Sequence, residues 1–195
     1  MRAAIVEEYG REPVLGDFET PLPQQGQGLV AVTAAGLNPV DVKIATGTFP
    51  QRRPSLPYVI GVEGVGTLED GRKVYFDAPP PPFGAVAELA PVDLSGVIPL
   101  PETIDDGVAV ALGVAGLAAW LALEWRAKLE PGETVLVLGA SGVVGQVAVQ
   151  VAKLLGAGRV VAATRSAEGL ARSSRQGADA TVALGPPAEW EAALM

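Results

Sequence analysis

Two styles of apolar patterning divide the chain. In the first hundred residues the apolar runs are short. Segments 3–6, 29–35, 65–68, 74–76 and 85–90 read as strands, punctuated by prolines at 13, 21, 23, 50, 54, 57, 79–82, 91, 99 and 101. That pattern predicts an irregular, barrel-like β domain. One helix interrupts it over 39–46, with Asn38 as N-cap and Pro39 at the first helical position. The style changes near Thr103. Thr103 and Asp106 fit a capping-box-like start, the Asp standing in for the usual Glu. A helical pattern then runs to about Leu129, with Gly113 and Gly116 placed to kink or interrupt it. The turn at 131–132 leads into strand 134–138, helix 142–156, strand 159–164, helix 167–176 and, after Gly177, a strand near 180–184. Residues 188–195 start another helix. The fold class is α/β: a β domain (1–102), a connecting helical segment (103–130) and a parallel β-α-β-α-β unit (131–195), right-handed by chirality.

The junction of strand 134–138 with its helix carries the most chemistry. Val135, Leu136, Val137 and Leu138 read as a buried strand running into Gly139, Gly142 and Gly145. Gly139 allows a sharp exit from the strand, Gly142 lets backbone N–H groups approach a pyrophosphate, and Gly145 lets the helix lie close on the sheet. Backbone amides around Ser141, Gly142, Val143 and Val144 are the expected phosphate donors at the helix N-terminus. The spacing is G-x-x-G-x-x-G, and the alternative is a glycine-rich turn with no ligand. A site for NAD wants an acid about 20 residues further on, at the ribose 2′-hydroxyl. The second strand instead ends in Thr164, Arg165 and Ser166, two hydroxyls and a guanidinium suited to a 2′-phosphate. The expected cofactor is therefore NADPH, against the alternative that Arg165 is a solvated loop residue.

Composition narrows the chemistry further. Apolar residues make up 49% of 195, ample for a core, and no run reaches the ~18 uninterrupted apolar residues of a membrane span. Segment 108–123 contains two glycines, is followed by Glu124, Arg126 and Lys128, and reads as a buried helix whose Trp120 belongs to the core, as does Trp125. The N-terminus, MRAAIVEEYG, reads as a strand rather than a signal peptide, making the cytoplasm the default location and a membrane partner unexpected. A net charge of −8 without a basic cluster argues against nucleic acid. Cys and His are absent, which removes disulfides, thiolate nucleophiles, imidazole bases and zinc sites of nitrogen or sulfur ligands. No metal is expected. Chemistry must use a cofactor, carboxylates, hydroxyls, amides or lysine.

Four motifs occur in order: Ala34-Ala-Gly-Leu-Asn-Pro-Val-Asp-Val-Lys-Ile-Ala-Thr-Gly47, Pro57-Tyr-Val-Ile-Gly-Val-Glu-Gly-Val-Gly66, Gly139-Ala-Ser-Gly-Val-Val-Gly145 and Gly177-Ala-Asp179. Across essentially the whole chain this resembles the zinc-independent quinone oxidoreductase (zeta-crystallin-like) branch of the medium-chain dehydrogenase/reductase superfamily. The resemblance implies a GroES-like N-terminal domain, a partial Rossmann domain, and NADPH-dependent reduction of a quinone or an α,β-unsaturated carbonyl. Where zinc-dependent relatives place a ligand Cys and Gly-His-Glu, this chain has Asn38 and Gly61-Val62-Glu63. By resemblance, Tyr58 is a candidate hydroxyl near the cleft, or else a packed tyrosine before a strand. Asn38 could donate an amide hydrogen bond to a carbonyl or to the cofactor besides capping its helix. Asp41 reads as mostly structural, and Glu63 either contacts cofactor or finishes a turn. Relatives often carry a Lys where Gly169 stands and a Tyr after the third strand, so phosphate selectivity rests on Arg165 with Arg172 in reserve. The family's remaining sequence would complete the sheet. The expected reading is thus a reductase, the alternative a truncated, catalytically weak NADP(H)-binding module that needs a partner, with a homodimer through the open sheet edge as one assembly.

Overall fold

The computed structural model describes residues 1–185, and the chain divides into two compact units, Met1–Val114 and Ala115–Met195. The first unit is built on two antiparallel sheets. Strands β1 (Arg2–Val6), β2 (Val14–Asp17) and β4 (Tyr58–Val59) form one, in the order β2-β1-β4. Strands β3 (Gln27–Gly36), β5 (Glu63–Leu68), β6 (Lys73–Asp77), β7 (Leu89–Asp93) and β8 (Ile98–Pro99) form the other, in the order β7-β3-β5-β6-β8. Val30, Leu68, Val74, Phe76, Ala90 and Val92 close its core. The β3–β5 pairing slips between Val32 and Ala34, a bulge that bends the sheet.

Several expectations need correction here. Segment 85–90 is not one strand: β7 begins at Leu89. The preceding residues hydrogen-bond in two directions, Ala4 N–H to Val86 O and Val86 N–H to Ile60 O, both at 2.9 Å, so they bridge segments instead of extending one ladder. Strands β2, β4 and β8 were not anticipated, since at two to four residues none is long enough to show a clear apolar alternation. Helix α1 (Pro39–Ala45) starts at Asn38 as expected. Helix α2 (Asp106–Ala111) is capped by Asp105, whose carboxylate accepts from Val108 N–H at 3.0 Å, and not by Thr103 with Asp106. Asp106 pairs with Lys73, whose ammonium also donates to Ile104 O at 2.6 Å.

The helical run that α2 begins breaks at Gly113 (φ −63°, ψ −115°) within a π-helical turn, Leu112–Gly116. In the second unit it continues as α3 (Leu117–Trp120) and another π-helical turn, Leu121–Arg126, stopping short of Leu129. Within the run Asp106–Arg126 an 18-residue stretch has a mean hydropathy of 1.8, and the run is long and apolar enough, by length and composition alone, to cross a membrane. The expectation of a buried helix with Trp120 and Trp125 in the core is wrong. Among its side chains only Ala109, Ala115 and Ala119 are buried, while Val108, Leu112, Leu117, Trp120 and Trp125 are exposed. The fully buried positions are small residues, which permit close backbone approach; Leu123 packs partly against the second unit's core, and most of the other large side chains are turned outward.

The second unit's sheet is parallel, in the order β11-β10-β9, from β9 (Thr134–Leu138), β10 (Arg159–Thr164) and β11 (Ala180–Ala183). Helix α4 (Val143–Leu154) follows β9 and α5 (Ala167–Arg175) follows β10. These elements lie within about two residues of the expected bounds. Val137, Val149, Ala152, Val160 and Ala162 form the core between α4 and the sheet. Strand β9 is less buried than its sequence reads: Val137 is inside, but Leu136 and Leu138 are 54% and 68% exposed on the opposite face. The expected helix at 188–195 lies outside the described residues.

Candidate functional site

The glycine turn is set by its own hydrogen bonds. Gly139 N–H and Ala140 N–H both donate to Ala163 O (2.9 and 3.1 Å), tying the turn to β10. Gly139 sits at φ +74°, a conformation that favours glycine. A Cβ on Gly145 would strike the Gly139 carbonyl and lie 2.7 Å from Ala140 Cα, so α4 can approach the turn only with glycine there. Gly142 is the N-cap, and its N–H donates to Gly139 O at 3.0 Å. That amide is spent inside the turn, which narrows the expected phosphate donors. The first N–H to bond back along the helix is that of Gln146, to Gly142 O at 2.9 Å. The N–H groups of Val143, Val144 and Gly145 are those a helix leaves free at its positive end.

The second expected group divides in two. Thr164 is buried, and its hydroxyl donates to Ser141 Oγ at 2.6 Å, so it braces the glycine turn from beneath. Ser166 caps α5, accepting from Gly169 N–H at 3.0 Å. Arg165 is exposed and makes no ion pair among the described residues, whereas Arg172 is paired with Glu168. Gly169 is buried, and a Cβ there would lie 2.6 Å from Ser141 Cβ and 2.7 Å from Ser166 Oγ. No lysine fits at that position without moving the turn. Asp179, in the last motif, accepts from Lys153 Nζ and from Val160 N–H, both at 2.6 Å, and so ties α4 to the start of β10.

In the first unit an open groove of ≈ 760 Å³ is lined by Leu37, Asn38, Pro39, Val42, Ile60 and Val86, with Lys43 also contributing. The lining residues are apolar apart from Asn38 and Lys43. Asn38 is held twice: its backbone N–H donates to Asp41 Oδ2 at 2.7 Å, and its Nδ2 donates to Glu63 Oε1 at 2.6 Å. Burial raises the Asp41 pKa, opposed by hydrogen bonds from the Asn38 and Val62 backbones. Its Oδ1 has no partner among the described residues.

Tyr58 lines a different, much smaller cavity of ≈ 20 Å³ with Asp41, Arg52, Pro81, Pro82 and Phe83. Its hydroxyl is buried without a partner among the described residues, and burial pushes its pKa up to about 12. Glu63, left between two roles by the sequence, is fully buried in the first unit and accepts three hydrogen bonds, from Asn38 Nδ2, Tyr75 OH (2.8 Å) and Val114 N–H (2.7 Å). Those donors lie far apart in sequence, so no local spacing announces the cluster.

An antiparallel β unit followed by a parallel sheet with a glycine turn defines the class, a two-part dehydrogenase/reductase architecture. The model of the alcohol dehydrogenase GroES-like domain matches residues 24–102. Quinone oxidoreductase of Rattus norvegicus is 37% identical over 182 residues, covering 87% of this chain and 54% of its own. That of Homo sapiens is 37% identical over 169 residues, covering 80% and 50%. The crystal structure of quinone oxidoreductase from Thermus thermophilus, also solved in complex with NADPH, superposes with a TM-score of 0.84 at 36% identity, covering 93% of this chain and 59% of that one. The chain belongs to the zinc-independent, quinone-oxidoreductase-like branch of the medium-chain dehydrogenase/reductase superfamily. It spans about half the length of the curated relatives it matches.

Proposed function

We propose that the chain binds NADP(H) at the glycine turn and forms a catalytically weak module of a quinone or enone reductase. The observation that carries this reading is the turn itself: Gly139 at φ +74°, Gly145 in contact with the Gly139 carbonyl, and a twelve-residue helix opening directly from Gly142. The free N–H groups of Val143, Val144 and Gly145 hold the pyrophosphate, with Ser141 beside them. Arg165, exposed and without an ion-pair partner among the described residues, takes the 2′-phosphate. NADPH, when bound, supplies the hydride. The chain's own part is to fix the phosphates and, in the first unit, to offer an apolar groove with one amide, suited to a flat quinone or enone. Asn38 is the polar contact in that groove. Tyr58 is buried outside the groove lining and is assigned packing.

Fluorescence titration with NADPH and NADH tests the nucleotide assignment. The parent chain binds NADPH at least about tenfold more tightly, and Arg165→Ala removes most of that preference, since a guanidinium–phosphate contact is worth roughly 1.5–3 kcal/mol. NADH affinity stays within about twofold, because only the 2′-phosphate contact is lost. Equal affinity of the parent for both nucleotides overturns the reading. Oxidation of NADPH with 1,4-benzoquinone measures how much turnover this chain supports.

A further inference from the structure

We propose that Glu63 is the positioning residue of the groove, fixing which way round the Asn38 amide stands. This rests on the assignment of Asn38 to the substrate groove. Glu63 is 2% exposed, and its side chain is met only by donors: Asn38 Nδ2 on Oε1, Tyr75 OH and Val114 N–H on Oε2. A carboxylate accepts on both oxygens and donates on neither. No other side chain of this size satisfies three converging donors.

The backbone is shaped to admit that carboxylate. A Cβ on Gly36 would lie 2.5 Å from Oε1, and one on Gly113 would collide with Oε2 and lie 2.7 Å from the Tyr75 hydroxyl. Gly113 is also where the helical run breaks, and the N–H next in line, that of Val114, is the one Glu63 accepts. One buried side chain therefore joins the end of β3, the cap of α1, strand β6 and the helix break.

The consequence falls on Asn38. An amide can stand either way round, and its two faces differ in hydrogen-bonding sense. An acceptor-only partner at 2.6 Å forces Nδ2 inward. The amide, whose side chain also takes part in the capping box with the Asp41 backbone, is then held in one orientation beside the groove. A glutamine at position 63 removes that constraint, because it cannot accept on both ends.

The test needs no cofactor, so its failure is separate from failure of the nucleotide assignment. In a ¹H–¹⁵N spectrum, the side-chain amide of Asn38, identified by its loss in Asn38→Asp, shows one downfield, slowly exchanging proton. Its absence from the parent spectrum overturns the proposal whether or not any variant folds. Glu63→Gln abolishes that signature, whereas Tyr75→Phe, which removes a different donor, keeps it. Asn38→Asp alone is destabilised by two carboxylates in contact, and adding Glu63→Gln recovers thermal stability by restoring a donor–acceptor pair of reversed sense. Additive losses in the double variant overturn the pairing. On the same spectra, 1,4-benzoquinone perturbs the Asn38 amide of the parent chain, and Glu63→Gln weakens that binding about tenfold, the scale of one hydrogen bond. No perturbation in the parent overturns the groove assignment.

Discussion

At the scale of single residues, polar side chains in the first unit separate into partnered and orphaned groups. Glu63 collects three donors, while the Tyr58 hydroxyl and Asp41 Oδ1 face a cavity of ≈ 20 Å³ with none. An unsatisfied buried hydroxyl costs stability, so its removal in Tyr58→Phe is expected to leave stability at pH 7 unchanged or raise it by up to about 1 kcal/mol. The pH dependence has a definite sign. Burial raises the Tyr58 pKa from 10.0 to about 12, so the folded state keeps the phenolic proton that the unfolded state loses first. Its contribution to stability is whole below pH 10 and is lost as the pH rises through 12. Thermal denaturation between pH 7 and 12 should show a shallower alkaline decline in Tyr58→Phe than in the parent. A large loss of stability at pH 7 in that variant would mean the hydroxyl has a partner after all. The Asn38 cap was legible because Asn-Pro is a local signal, whereas Glu63 was not, because its partners come from positions 38, 75 and 114.

At the scale of elements, the second unit was readable because each strand and helix closes on local punctuation. Gly139 exits β9, Ser166 caps α5, and Gly177, at φ +105°, precedes β11. The first unit was readable only in part. Strands β2 and β8 are short and exposed, and residues just before β7 bond in two directions, so period-two alternation was too weak to find them. The run Asp106–Arg126 misled for another reason: apolarity does not say which face is buried, and alanines hold the inner face. The last motif acquires a purely structural role. Asp179 draws Lys153 and the Val160 amide together, and the side-chain hydrogen bond from Lys153, followed by the Val160 amide, lowers its pKa. A depressed carboxylate stabilises the fold above its unfolded value, near 3.8, and that contribution fades as the pH falls through the lower folded value. Asp179→Asn should therefore lower the melting temperature at pH 7 by more than it does near pH 3, with the gap closing as acid protonates the parent. A deficit independent of pH would assign the loss to packing instead.

At the scale of the whole molecule, the described residues leave an apolar sheet face open. Helix α4 packs on β9 and β10, α5 packs on β10 and β11, and right-handed crossovers put both helices on one side. On the other side, register sets the exposed Leu138 and Val182 to either side of Ala163, which is itself buried, and the exposed Leu136 beside the half-buried Val161. Parallel sheets are ordinarily covered on both faces, and their strands read as continuous apolar runs for that reason. The sequence Val-Leu-Val-Leu in β9 fits a strand of that kind, yet two of its four side chains are more than half exposed. Such a row should bind an environment-sensitive dye such as anilinonaphthalene sulfonate in the folded chain. Replacing Leu136 and Leu138 by threonine keeps the strand propensity, removes apolar surface already in contact with water, and should reduce dye fluorescence. Because both side chains are more than half exposed, the melting temperature should move less than for a core substitution, which costs roughly 2–5 kcal/mol. A drop of that size with dye binding unchanged would show that both leucines are buried in solution, and the open face would have to be abandoned.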